Sequence, residues 1–354
     1  MISTFKYIQA ILFSSVLILA SCSPNNNNNP QPILPAQPVT AGVYYAGYEL
    51  NGTNPTATYW KNDSAVRLSD STQKTYAQSM YVTDNDVYVT GYDFTGAKTR
   101  AVYWKNGVKT FLTDGTQDAN TSCITVVGSD VYIGGHESNG TKRVAKYWKN
   151  GVPVSLTDGT THAGVTCVAT NGTDIYFGGN EFNATNSIAT YWKNGTATHL
   201  SNGTTDGHIN GIAVSGSDVY SVGQLLSTAG GIHIEAVSWK NNTLTSLTNN
   251  TIFGSCTAVA LKGSDVYVTA HEYISGLGGN TNAMYWKNNV KVPLNTGTTE
   301  LVATCIFVKG NDVYMGGFHK VSANSYIPKV WRNDTLIPVS TNSPMAAINS
   351  IFVK

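Results

Sequence analysis

The chain has few charged side chains and no concentration of either sign. Asp, Glu, Lys and Arg make up 12% of the residues, against roughly 25% in an average soluble domain, and the net charge is +1. No basic run and no basic patch with interleaved aromatic residues occurs, so we expect no nucleic-acid partner. Apolar residues with a 3.6-residue period are also missing, which excludes a helical solenoid.

Motifs that would carry catalysis or hold a cofactor are missing as well. The seven His residues form no HExxH motif, the Cys residues show no CxxC spacing, and no GxSxG motif or phosphate-binding glycine loop occurs. We therefore expect no metal, no cofactor and no catalytic residue. Asn, Thr, Ser and 34 Gly residues take the place of charged ones, and this composition favours turns and strands over helices.

The N-terminal segment is predicted to be a targeting signal. Lys6 precedes an apolar stretch at 8–20 that is too short to span a membrane. The letters LASC at 19–22 resemble the lipobox of bacterial lipoproteins, in which the Cys becomes the acylated first residue. The resemblance implies a signal peptide at 1–21 and lipidation of Cys22, which would anchor the protein to the membrane. The alternative is an ordinary signal peptide with an unrelated Cys.

Residues 22–41 are predicted to form a disordered tether. They contain five consecutive Asn residues and several Pro residues, and such a segment cannot bury a core. With a lipidated Cys22, we expect the protein at the cell outer membrane. No acidic cluster follows Cys22, so the periplasmic side and the cell surface both remain open.

Residues 42–354 consist of a repeat marked by two motifs. The first, mostly YWKN, contains all seven Trp residues, and the second has the form SDVYxxG. From each Trp to the next Asp the distance is always 26 residues, whereas from Asp to the next Trp it varies between 18 and 21. Every insertion therefore lies between SDVYxxG and YWKN. The repeated Trp residues are Trp60, Trp104, Trp148, Trp192, Trp239, Trp286 and Trp331.

Each repeat divides into four strand-like runs, exemplified by 123–127, 131–135, 143–149 and 152–157. Gly-Ser-Asp joins the first two runs, and Asn-Gly, which accommodates the positive φ angles of a type I′ turn, joins the last two. Four short strands in a repeat of about 45 residues are typical of a propeller blade. The sequence therefore predicts an all-β, seven-bladed β-propeller with four-stranded antiparallel blades.

The two chain ends are predicted to complete one blade. The run at 43–47 is a second strand with no first strand before it, and the run at 350–354 is a first strand with no second strand after it. Pairing of these N- and C-terminal strands closes the ring and removes exposed edges. We expect such a closed ring to be a monomer.

The order of the strands resembles a WD40 blade, although the Gly-His and Trp-Asp dipeptides of that family are missing. The Trp-x-Asn-Gly turns also resemble the HAF-type repeats of secreted bacterial proteins. Both resemblances imply the propeller architecture and no particular function. In a WD40-like blade, the second-to-third and fourth-to-first connections share one end of the propeller, here called the loop-bearing face; the other end is the tight-turn face.

An acidic residue recurs where the second strand ends on the loop-bearing face. Variable loops on a rigid scaffold commonly carry binding sites. These positions are therefore candidate binding residues for a small molecule, a peptide or a cation. The alternative is a solvated rim, or acids that bond to N–H groups at strand ends. Two repeats have Leu225 and His319 instead. The acidic positions are Glu49, Asp93, Glu137, Glu181 and Glu272.

The remaining recurrent residues are predicted to be structural. The Trp residues suit packing between blades rather than a sugar-stacking ladder, and the repeated Asp suits hydrogen bonds within its turn. Cys123, Cys167 and Cys305 share one first-strand position, and alternation places Cys256, two residues earlier in its repeat, on the same strand face. Buried free thiols are expected, with a Cys123–Cys167 disulfide as the alternative.

These features predict a non-enzymatic binding or scaffold module of the cell envelope for a protein, peptide or glycan partner. The alternative is a carbohydrate-active enzyme, a hydrolase or a lyase, that uses carboxylates on the loop-bearing face.

Overall fold

The computed structural model describes most of the chain from residue 39 onward. The predicted signal peptide at 1–21, Cys22 and most of the predicted tether lie outside the described residues. In the described part, no helix has the length and apolar character needed to cross a membrane. The described residues are 39–354 without residues 63, 228–232, 249–252, 274–280, 295–299, 323–324, 340, 342 and 344.

The described chain is built from strands, grouped here by blade. Blade 1 contains β1 (Val43–Asn51), β2 (Asn54–Lys61) and β3 (Ser64–Arg67). Blade 2 contains β4 (Thr75–Val82), β5 (Val87–Thr95), β6 (Lys98–Lys105) and β7 (Val108–Phe111). Blade 3 contains β8 (Ala119–Val127), β9 (Asp130–Ser138), β10 (Arg143–Lys149) and β11 (Val152–Ser155). Blade 4 contains β12 (Ala163–Asn171), β13 (Asp174–Phe182), β14 (Ser187–Lys193) and β15 (Thr196–His199).

The remaining blades follow the same order. Blade 5 contains β16 (Gly207–Ser215), β17 (Asp218–Ser227), β18 (His233–Lys240) and β19 (Thr243–Ser246). Blade 6 contains β20 (Gly254–Lys262), β21 (Asp265–Tyr273), β22 (Thr281–Lys287) and β23 (Val290–Pro293). Blade 7 contains β24 (Glu300–Lys309), β25 (Asp312–Ser322), β26 (Ser325–Arg332) and β27 (Thr335–Ile337). The last strand, β28 (Ala346–Val353), belongs to blade 1.

These strands form seven four-stranded antiparallel sheets, which confirms the predicted seven-bladed propeller. The first strands of successive blades contact one another all the way round, from β4 through β8, β12, β16, β20 and β24 to β28 and back to β4. The first strands therefore surround the central axis. The short fourth strands are largely exposed and form the outside.

The predicted closure by the chain ends is also confirmed. Strand β28 pairs with β1 in antiparallel fashion, in the strand order β28-β1-β2-β3. Gly42 and Lys354 exchange two backbone hydrogen bonds, of 3.2 and 3.0 Å, at the tight-turn end of this pair. The chain therefore enters and leaves the propeller on the same face.

The Trp residues hold neighbouring blades together, as predicted. All seven are at most 3% exposed. Each one packs on the preceding blade: Trp148 of blade 3, for example, shares a cluster with Tyr88, Ala101 and Leu112 of blade 2. Because the indoles are buried between sheets, they cannot stack on a sugar from solvent.

A β-bulge interrupts every first strand, a feature that the sequence interpretation missed. The extra residue is always polar and, in five blades, donates a hydrogen bond to a backbone carbonyl of the next first strand. Thr166 Oγ1, for instance, donates to the Ile209 carbonyl over 2.5 Å, and Asn210 Nδ2 donates to the Cys256 carbonyl over 2.8 Å. The others are Thr257 to Ala303, Thr304 to Ile348 and Asn349 to Ala77.

The bulge makes the predicted placement of Cys256 wrong. Cys123 packs towards the following blade, with Val165 and Phe177, whereas Cys256 packs towards the preceding blade, with Val222. One extra residue in the strand reverses the alternation of side chains, so a spacing of two residues across it no longer means the same face. All four described Cys residues are buried and free, as expected, and no Cys123–Cys167 disulfide is present among them.

Candidate functional site

The repeated Asp on the tight-turn face is part of a clamp between the second and third strands. In blade 4, Asp174 accepts a hydrogen bond from Asn194 Nδ2 (2.7 Å) and pairs with Lys193 (2.8 Å), whose ammonium lies 5.3 Å from the Tyr176 ring centre. Asn194 Oδ1 accepts the Ile175 N–H over 2.9 Å. Lys193 and Asn194 hold the pKa of Asp174 below its usual range.

The clamp explains both sequence motifs. Asn194 and Gly195 have φ angles of 49° and 89°, as the predicted Asn-Gly turn requires. The structural role expected for the Asp is right, but its partners are side chains of the third strand rather than its own turn. The same Asp–Asn contact recurs at Asp86–Asn106, Asp130–Asn150, Asp218–Asn241, Asp265–Asn288 and Asp312–Asn333.

The five acidic positions on the loop-bearing face are held within their own blades. Asp93 is fully buried and receives two 3.0 Å hydrogen bonds from Arg100 and one of 3.1 Å from Lys109. Glu181 accepts the Trp192 indole N–H over 3.2 Å. The others form ion pairs: Glu49–Arg67 at 2.8 Å, Glu137–Lys146 at 2.6 Å and Glu272–Lys291 at 2.5 Å.

Strand pairing shows which neighbouring blade these acids face. Tyr45 pairs with Trp60, and Glu49 lies four residues further along the same strand, paired with Thr56. Side chains two or four residues apart in a strand share a face. Each acid therefore lies on the face that carries the buried Trp and points into the contact with the preceding blade.

The residue before each acid, or before Leu225 and His319 in the other two blades, lies on the opposite strand face. It pairs with a residue of the first strand, near the loop-bearing end of the ring that the first strands form around the axis. This ring of residue pairs is here called the loop-face mouth. Its members are Ala347–Tyr48, Tyr76–Tyr92, Asn120–His136, Gly164–Asn180, His208–Gln224, Ser255–His271 and Val302–Phe318.

One side of the loop-face mouth, in blades 7, 1 and 2, is aromatic. The rings of Tyr48 and Tyr76 meet edge to face at 4.9 Å, and Tyr76 stacks on Tyr92 at 5.1 Å. In blade 7, Phe318 contacts Tyr326 edge to face at 5.3 Å. The Tyr48–Tyr76 contact joins blades 1 and 2, whereas the Phe318–Tyr326 contact lies within blade 7. We call this aromatic side of the mouth, which also carries the tyrosine hydroxyl groups, the aromatic wall.

The other side, in blades 3 to 6, is polar and incompletely hydrogen-bonded. Asn120 Oδ1 and His271 Nδ1 are buried and have no hydrogen-bond partner among the described residues. A β-carbon added to Gly164 would meet only His136 Nδ1, at 3.9 Å, so the position leaves open space beside that ring. Buried polar atoms without partners are costly in a folded protein, and a ligand can supply the missing bonds.

The His residues of this polar side are neutral near pH 7. Burial lowers the pKa of His136, His208 and His271 to about 4 in each case. The positive charge of Arg143 adds to the lowering at His136 and His208. Each neutral imidazole can both donate and accept a hydrogen bond.

The opposite end of the axis has a hollow of its own. It has a volume of about 390 Å³ and lies on the tight-turn face, where the ends of β4, β8, β24 and β28 meet. Phe352 contacts Tyr81 at 5.0 Å and Phe307 at 4.7 Å inside it. Lys354 closes part of its rim through an ion pair with Asp84 at 3.4 Å.

Neither end of the axis offers a metal centre in the part of the chain that the structure describes. There, no three His, Cys, Asp or Glu side chains converge closely enough to hold a metal ion.

Comparison with known proteins finds a similar solved structure and no family. No protein-family model matches the chain, and no curated protein sequence matches it. Among solved structures, it is similar to TolB from Acinetobacter baumannii, with 10% sequence identity and a TM-score of 0.44. The match covers 86% of this chain and 65% of TolB, so the chain spans less than two thirds of the length of TolB. At this identity, the similarity says nothing about function.

Proposed function

We propose that this protein is a non-enzymatic binding module of the cell envelope, which engages a glycan, peptide or protein through its loop-face mouth. The observation that carries the proposal is the two-sided chemistry of this ring. The aromatic wall around Tyr76 supplies apolar area for contact, and the polar wall around His136 leaves hydrogen-bonding atoms without partners. A rigid ring of blades holds both walls in place before any ligand arrives, which lowers the entropic cost of binding.

The pairing of the acids favours binding over glycoside hydrolysis. A glycosidase needs one carboxyl group that stays protonated until it donates its proton. Glu49, Asp93 and Glu272 are instead held in ion pairs within their own blades, with Arg67, Arg100 and Lys291 respectively. These carboxylates are therefore better suited to fastening the second strand to its neighbours than to catalysis.

The proposed position in the envelope rests on the lipobox and on where the chain enters the fold. Val43 begins β1 on the tight-turn face, beside Lys354. A tether at 22–41 would join the propeller there, at the end opposite the loop-face mouth, and so would leave the mouth free. Either side of the outer membrane is compatible with this arrangement.

Replacing Cys22 tests the anchor. Cys22→Ala is expected to move the protein from the membrane fraction to the soluble fraction, because the acyl chains are lost. Ser21→Ala, which keeps the Cys, serves as the control and should stay in the membrane fraction. Membrane association of Cys22→Ala equal to that of the wild-type chain would contradict lipidation.

A glycan and peptide array probed with residues 42–354 tests the binding role. We expect binding to at least one ligand class. Tyr76→Ala should abolish the signal because it removes the centre of the aromatic wall. Glu137→Gln and Glu181→Gln should bind like the wild type, since those side chains lie between blades. Loss of binding in the Gln variants with retention in Tyr76→Ala would instead support the acidic positions as the site.

A further inference from the structure

Arg143 is the exception among the four Arg residues of the chain. Arg67, Arg100 and Arg332 each form an ion pair with a carboxylate, at 2.8, 3.0 and 2.5 Å. Arg143 is exposed, and its guanidinium pairs with no acid among the residues that the structure describes. An Arg without an acceptor at a surface with other unmet hydrogen bonds is suited to an anionic ligand group.

The position of Arg143 places this charge at the polar wall of the loop-face mouth. It begins β10 on the loop-bearing face, opposite Ser138, two residues beyond His136. Its backbone N–H donates to His162 Nδ1 over 3.1 Å, which fixes the start of the strand next to blade 4. Blade 4 contributes Gly164 here, and the absence of a side chain leaves room beside the His136 ring.

The neighbouring groups suit hydroxyls rather than further charges. Asn120, Asn180, His208 and Gln224 are neutral amides and imidazoles that both donate and accept hydrogen bonds. Two carboxylates also act on the imidazoles, Asp118 on His136 and Asp206 on His208, but each already accepts a backbone N–H, from Thr99 and Ser187 respectively. On blade 2, immediately before them, the paired rings of Tyr76 and Tyr92 begin the aromatic wall. The mouth therefore combines one unpaired cation, several neutral groups and an aromatic surface. A ligand that matches it would have a ring with one carboxylate, several hydroxyls and an apolar C–H face.

We propose that the loop-face mouth binds an acidic saccharide of the uronic-acid type, with the sugar carboxylate on Arg143 and the C–H face of a sugar ring against the half-buried Tyr76 of blade 2. This inference rests on the proposed binding function and specifies its ligand class. A peptide would present backbone amides and a variable set of charges, for which one unpaired Arg beside neutral amides and imidazoles is a poorer match.

The test compares uronic-acid oligosaccharides with the same oligosaccharides after chemical reduction of their carboxyl groups. The acidic probe is expected to bind the wild-type domain about 10- to 100-fold more tightly than the reduced probe, the range for a charged hydrogen bond. Arg143→Gln should lose the same factor for the acidic probe and show no further loss with the reduced one. Arg332→Gln, on the tight-turn face, removes the same charge and should bind like the wild type.

Each outcome decides the proposal separately from the binding role. Equal binding of acidic and reduced probes, or wild-type affinity of Arg143→Gln, overturns the acidic-saccharide assignment and leaves the binding role intact. If the domain binds peptides but no saccharide, the acidic-saccharide assignment is also overturned and the binding role is retained. If no glycan or peptide binds the wild-type domain, the proposed function itself fails. Thermal melting of Arg143→Gln should match the wild type, since this exposed side chain has no ion-pair partner to lose among the described residues.

Discussion

Removal of residues 348–354 is expected to abolish the cooperative folding of the propeller. The deletion takes away most of β28, the first strand of blade 1, and with it the buried side chains of Ile348, Ile351 and Val353. Loss of a buried aliphatic side chain costs about 2–5 kcal/mol, so three together approach the whole stability of an ordinary domain, about 5–15 kcal/mol.

The same deletion breaks the ring on both sides. Thr304 of blade 7 donates to the Ile348 carbonyl over 2.6 Å, and Asn349 donates to the Ala77 carbonyl of blade 2 over 2.9 Å. Without β28, β1 also gains an unpaired edge that can recruit another chain. Circular dichroism melts should show loss of the transition or a fall of more than about 10 °C.

A single substitution at the chain end provides the control for the deletion. Lys354→Ala keeps the backbone bonds to Gly42 and removes only the ammonium contacts with Asp84 and the Val39 carbonyl. It should shift the melt by little, as ion pairs near the surface contribute about 1 kcal/mol or less. A melt of the deletion variant that coincides with that of the full domain would contradict closure by the chain ends.

Acidification from pH 6.5 to pH 4.5 is expected to lower the free energy of unfolding by several kcal/mol. The pKa values of His136, His208 and His271 are about 4 in the folded protein because these rings are buried. In the unfolded chain a His titrates near a pKa of about 6.5. Between these values the unfolded state binds protons that the folded state excludes, so stability falls as the pH falls.

The size of the pH effect follows from the number of His residues involved. Each of these three His residues changes the free energy of unfolding by at most about 1.4 kcal/mol per pH unit. Its contribution to stability is fully present above pH about 6.5 and is lost as the pH falls to about 4. Urea unfolding at several pH values measures the slope of the free energy of unfolding against pH. Replacing His136, His208 or His271 singly with Gln should reduce this slope. A free energy of unfolding that stays constant between pH 6.5 and 4.5 would show that the imidazole rings of the loop-face mouth are solvated.

Much of the fold could be predicted because a propeller repeats its register in the chain. The constant spacing from Trp60 to Asp86 and its equivalents reflects three short, invariant connections. The incomplete runs at both ends pointed to the shared blade. Boundaries were less accurate: the run predicted at 123–127 is strand Ala119–Val127, since the bulge near Ser122 interrupts the alternation on which the prediction relied.

The proposed loop-face mouth lies one residue along the strand from the predicted acidic positions. Alternation states that Tyr48 and Glu49 point in opposite directions, but not which of them points towards the preceding blade. The pairing of Tyr45 with Trp60 settles this, because it places Glu49 on the Trp face. Loops of different length between the second and third strands hide that register in the sequence. The sequence also did not indicate that Arg143 would be unpaired. Ion pairs between strands depend on the register of those strands, which residue spacing alone does not reveal.

Two tyrosines at opposite ends of one strand provide the most direct test of the proposed site. Tyr76 and Tyr81 both lie in β4 and both are half-buried, and each contacts an aromatic residue of blade 1: Tyr48 at 4.9 Å and Phe352 at 5.0 Å, respectively. Tyr76 belongs to the loop-face mouth, whereas Tyr81 lines the hollow on the tight-turn face. Calorimetric titration with a ligand found on the array should show affinity at least about ten-fold weaker for Tyr76→Ala and unchanged for Tyr81→Ala. Equal losses in both variants, or a loss confined to Tyr81→Ala, would contradict binding at the loop-face mouth.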